Sequence, residues 1–152
     1  GDKKMNSKIY SDVKYQQIID PVTVTADANS ATVDLDGYGS ACLLVNVGES
    51  GDTLSGSVYI ELEVEESVDD STWTDVADAD LVNYVAGTND GTFALIDAAA
   101  EDAARYIVGY KGTSQYIRVV VNFTGTHTNG TPISATAVLG SPRVAPVNTA
   151  TE

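Results

Sequence analysis

The chain has 152 residues, is 43 % hydrophobic, and carries a formal charge of −14 at pH 7. That is one ordinary domain with enough apolar side chain for a core, and its single cysteine, Cys42, excludes an internal disulfide. With 22 acids against 8 lysines and arginines, the body repels nucleic-acid phosphate and anionic membrane.

The first 19 residues differ from the rest. Lys3, Lys4, Lys8 and Lys14 outnumber Asp2 and Asp12 there, whereas no lysine or arginine occurs from Asp20 to Ala104. This start has no apolar stretch of the signal-peptide kind, so the expectation is synthesis in the cytoplasm without export. Ile9, Val13 and Tyr15 alternate with polar residues and few turn signals intervene. Residues 1–19 are therefore predicted to be an extended basic arm, able to add a strand to a neighbour.

Residues 20–140 read as an all-β domain. The dominant period is 2. In SVYIELEVEES, residues 57–67, Val58, Ile60, Leu62 and Val64 face one way and Tyr59, Glu61, Glu63 and Glu65 the other. That pattern predicts a strand with one face in a core and one in water. YIRVVVNF, residues 116–123, alternates in the same way, and ACLLVNV, residues 41–47, is apolar on both faces at its start, as a central strand would be. Shorter β segments are predicted at residues 22–26, 31–35, 93–97, 105–110 and 133–139. Clusters of Gly, Asn, Asp and Ser separate them. About eight strands at this spacing predict an antiparallel β-sandwich, jelly-roll or immunoglobulin-like. One Ala-rich segment, residues 97–104, predicts at most two turns of helix, with Asp97 as its cap, or only a loop. Residues 141–152 contain Pro142 and Pro146, which interrupt sheet pairing, and read as an extended tail.

The residues that could carry chemistry are few. His127 is the only histidine and sits in a loop composition without a nucleophile elbow nearby. Cys42 lies in an apolar strand, where thiols are mostly inert. One histidine and one cysteine cannot build a structural zinc site, and no nucleotide-binding glycine motif occurs, so no cofactor is implied. Glu61, Glu63 and Glu65 stand about 7 Å apart on one strand face. They read as a solvated acidic face, with a divalent ion as the sharper alternative. Trp73 reads as a core or strand-edge aromatic rather than a sugar platform. The expectation is a chain without a catalytic site.

Two stretches carry a resemblance. One is GDTLSGSVYIEL from Gly51 followed by DDSTWTDV from Asp69; the other is GYKGTSQYIRVVV from Gly109 followed by GTHTNGTPI from Gly125. Over residues 37–147 they resemble small structural proteins encoded among the morphogenesis genes of tailed phages and gene-transfer-agent-like particles. The resemblance implies a virion component of the capsid-decoration (cement) type, bound to the major capsid protein on the capsid surface and associated with itself as a homo-trimer or other homo-oligomer. A neck or tail component, or a carbohydrate-binding surface module, are the alternatives. The inter-subunit or capsid contacts are expected at the two ends, on Lys3, Lys4, Lys8, Tyr10, Lys14, Tyr15, Pro142, Arg143 and Pro146.

Overall fold

The structure is a computed structural model and describes residues 1 and 3–149. It consists of two antiparallel sheets packed face to face. The principal strands are β1 (Lys14–Val24), β4 (Tyr38–Val47), β5 (Tyr59–Ser67), β8 (Thr92–Ile96), β9 (Ala104–Tyr110), β10 (Tyr116–Thr124) and β11 (Thr131–Pro142). The short strands β2 (Ala28–Asn29), β3 (Val33–Asp34), β6 (Thr74–Asp75) and β7 (Leu81–Val82) complete the sheets. The first sheet runs β1-β11-β4-β9-β7; the second runs β2-β10-β5-β6, with β3 also on β10 and β8 also on β5.

The pairing is nested. β1 pairs with β11, β2 and β3 with β10, β4 with β9, and β5 with β8. This is one long antiparallel hairpin rolled into two sheets, the topology of a jelly roll rather than an immunoglobulin sandwich. The tip of the hairpin, between β5 and β8, carries β6, a 3-10 turn (Asp78–Asp80) and β7.

Period-2 alternation positions the core. Ile60, Leu62 and Val64 of β5 and Ile117, Val119 and Val121 of β10 are fully buried against Leu43 and Val45 of β4 and Ala135, Ala137 and Leu139 of β11. Each of the Val, Leu and Ile side chains among them contributes about 1.5–3 kcal/mol by leaving water.

Two expectations are corrected. The arm boundary at residue 19 falls inside β1, because Lys14 to Gln17 pair with Leu139 to Thr136 in continuous register. Pro21 is tolerated there because β1 is an edge strand whose register shifts on either side of Ile19. The predicted tail likewise begins later, since β11 reaches Pro142 opposite Tyr38. Residues 97–103 form a loop of turns, the second of the two expectations for the Ala-rich segment. The Glu101 carboxylate accepts from the Asp97 and Ala98 amides (2.8 and 3.2 Å), and β9 starts at once at Ala104.

Candidate docking surfaces

The two chain ends meet. A single helical turn, α1 (Lys8–Ser11), precedes β1. The Ser11 carbonyl accepts from the Val147 and Asn148 amides at 2.5 and 3.2 Å. The Asn148 side chain donates to the Tyr10 and Val13 carbonyls at 2.8 and 2.7 Å. The Tyr15 hydroxyl donates to the Ile9 carbonyl (2.8 Å) and ties the turn to β1. Instead of two free arms, the ends make a clasp. Residues 150–152 and Asp2 of the expected arms lie outside the described residues.

The expected contact residues are distributed around this clasp. Lys3, Lys4, Lys8, Tyr10, Tyr15, Arg143 and Pro146 are exposed. Arg143 pairs with Asp36, and its amide donates to the Gly37 carbonyl (2.8 Å). Lys14 lies 6.0 Å from the centre of the Tyr38 ring, and Pro142 ends β11. Met5, Ile9 and Val144 are also largely exposed, so the clasp combines cations with apolar side chains. Beside it opens a shallow cleft of about 410 Å³ that includes Tyr38, Tyr110, Lys111, Ser114 and Gln115 in its wall. The Tyr110 hydroxyl donates to Glu66 and accepts from the Ser114 amide. Burial and the Glu66 carboxylate push that phenol up to about 12.

The outer face of the second sheet is acidic but not wholly solvated. Glu65 pairs with Arg118 at 2.5 Å, and the Arg118 guanidinium sits 4.3 Å from the centre of the Trp73 ring. Glu63, expected in water, is buried. It accepts from Asn122 Nδ2 (2.7 Å) and Thr92 Oγ1 (3.2 Å). Burial raises its pKa, those two hydrogen bonds lower it, and Asp75 and Glu61 add to the rise; the net direction is upward. No group of three or more ligating side chains fit to hold a metal occurs among the described residues.

The outer face of the first sheet is the opposite in character. Cross-strand partners share a face, so one row reads Tyr15, Val138, Cys42, Gly109, Val82 and the next Gln17, Thr136, Leu44, Ile107. A third row is Ser134, Asn46, Arg105. Cys42 is thus half-buried and turned outward rather than into the core. Its thiol is pushed up by burial.

His127 lies in the β10–β11 loop, as its composition predicts, and its side chain is fully buried there. Its Nε2 lies 3.0 Å from the Thr124 carbonyl, its ring meets Phe123 edge-on, and its Nδ1 stands 3.8 Å from Asp52 with no hydrogen-bond partner. Asp52 accepts from the Asn129 and Gly130 amides (2.9 and 2.7 Å), which hold its carboxyl below the ordinary range. His127 therefore sits inside a loop clamp, on a different part of the fold from Cys42.

No family model matches this chain, and no curated protein matches it.

Sequence reasoning singled out the lysines beside the clasp through their charge and the β5 carboxylates through their spacing, but not Ser11, Val147 and Asn148, which close the clasp. It missed the sparsely charged face of the first sheet, whose residues come from five strands far apart in the chain. Its only local signals are the outward Leu44 and Ile107 in otherwise alternating strands.

Proposed function

We propose that this chain is a non-enzymatic structural protein of a phage-like particle, a capsid decoration protein that binds the major capsid protein and oligomerises on the capsid surface. The observation that carries the reading is the clasp. The two chain ends up to Thr149, four of the lysines and a set of exposed apolar side chains lie at one end of a sandwich whose second sheet is acidic on its outer face. Such an end can meet a repeating acidic lattice many times over, and avidity then multiplies a weak contact. The resemblance over residues 37–147 and the jelly-roll topology support the same reading. The burial of His127 in its loop clamp favours action by contact over catalysis.

A neck or tail location remains the second structural reading, and copy number separates it from the head. For a carbohydrate module, Trp73 would have to offer a free ring face, and Arg118 already stacks on that ring. The test is removal of residues 1–13, which stops short of β1. The shortened protein is expected to keep its melting temperature within about 2 °C and to lose at least tenfold in occupancy on purified heads. Unchanged occupancy of a folded, shortened protein would contradict the role of the clasp.

A further inference from the structure

We infer that the clasp is a latch: the two chain ends open together, as one cooperative unit, while the sandwich stays folded. Each end is held by the other. Among the described residues, every hydrogen bond formed by the strap of residues 144–149 reaches residues 10–13. The Val147 and Asn148 amides donate to the Ser11 carbonyl, and the Asn148 side chain donates to the Tyr10 and Val13 carbonyls. The Tyr10 hydroxyl donates in return to the Thr149 carbonyl at 3.4 Å. Pro146 has no amide to give, and the strap pairs with no strand.

The N-terminal turn is no more independent. α1 has four residues and none of them is buried. A single turn fixes many dihedrals for few hydrogen bonds and does not stand alone in water. Among the described residues its one hydrogen bond to the sheets runs from the Tyr15 hydroxyl to the Ile9 carbonyl. The core begins at Ile18, ends at Leu139, and takes no side chain from residues 1–13 or 143–149. Removing either end therefore leaves the other without its support and leaves the core as it was.

The sheets set the limits of the opening. Lys14 pairs with Leu139, and β11 stays between β1 and β4. At the root of the strap, Arg143 is fixed by Asp36 and by the Gly37 carbonyl. Opening thus releases two arms and frees the Tyr10, Ser11 and Val13 carbonyls to accept from the amides of an incoming extended segment. That use in attachment rests on the decoration role proposed above. The latch itself belongs to the purified chain and is measured without a particle.

Amide hydrogen exchange of the isotopically labelled full chain, followed by NMR, tests it. Exchange through local opening needs no global unfolding. The Ser11, Asp12, Val147 and Asn148 amides are expected to share one opening equilibrium, protected about tenfold over free peptide and about a hundredfold less than the amides of β11. Asn148→Ala removes only the side-chain bonds to Tyr10 and Val13. The Ser11 and Asp12 amides donate within the turn, to the Ser7 and Lys8 carbonyls. The variant is nevertheless expected to speed their exchange by the same factor as at Val147, several-fold, and to leave β11 unchanged. Faster exchange at Val147 alone would overturn the latch, because the ends then open independently. So would a variant that exchanges like its parent. Protection equal to that of β11 would also overturn it, since opening is then global unfolding, and so would no protection at all, since nothing is then latched.

Discussion

Glu63 accepts from Asn122 and Thr92 but remains a buried carboxylate with Glu61 and Asp75 as charged neighbours. Because its folded pKa is raised, folding takes up a proton above the ordinary glutamate range. The charged form therefore costs stability at neutral pH, and the cost disappears as pH falls below the unfolded value. Glu63→Gln keeps a side chain that can bond both partners without the charge. It is expected to raise Tm at pH 7 by about 2–4 °C, the size of about 1 kcal/mol in a chain of this length, and to have no effect at pH 3.5. Thermal melts of both proteins at the two pH values check this. Asp69 behaves in the opposite way. The Thr72 and Ser71 amides and the Ser67 hydroxyl hold its carboxyl far below the ordinary range, so its contribution is present above pH 4 and lost in acid. The alternation of β5 marks which side Glu63 leaves from, yet nothing local shows that Thr92 and Asn122, from other strands, close over it. His127 presented the same difficulty: its surroundings read only as a loop, and nothing local shows that Asp52 and Phe123 enclose it.

At the scale of elements, β5 and β8 form the tip of the rolled hairpin, and their register shifts between Leu62 and Glu63. Gly91 accommodates that shift with a φ of +86°, and a Cβ there would lie 2.6 Å from the Val64 carbonyl oxygen. The Gly91 carbonyl also accepts from the Val64 amide at 2.9 Å. Gly91→Ala is expected to destabilise by about 1–3 kcal/mol through backbone strain. Urea unfolding checks it, with a change in midpoint and none in m-value. The long strands were legible because each alternates on its own: β5, β8, β9, β10 and β11 lie within a few residues of their expected positions. The start of β1 was not, because its charge pattern reads as an arm. Its strand character comes from β11, which supplies the backbone partners that Lys14 to Gln17 lack locally. The clasp was invisible for a similar reason, since the hydrogen bonds of Asn148 reach back across almost the whole chain.

At the scale of the molecule, charge and apolar surface are segregated. One sheet carries an outer face with few charges, the other a carboxylate face partly neutralised by Arg118, and the chain ends gather lysines at one end. A net charge of −14 on a body this small stores self-repulsion, so Tm is expected to rise by several degrees between 20 mM and 0.5 M NaCl. A flat response in differential scanning calorimetry would mean that the acids are already balanced locally. The central claim is that this segregation serves attachment to a particle, with the clasp as the attaching end. Quantitative mass spectrometry of purified particles from the genome that encodes this chain tests it most directly. The account predicts hundreds of copies per particle, in fixed ratio to the major capsid protein. Absence from the particle, or a count of six or twelve, would contradict it.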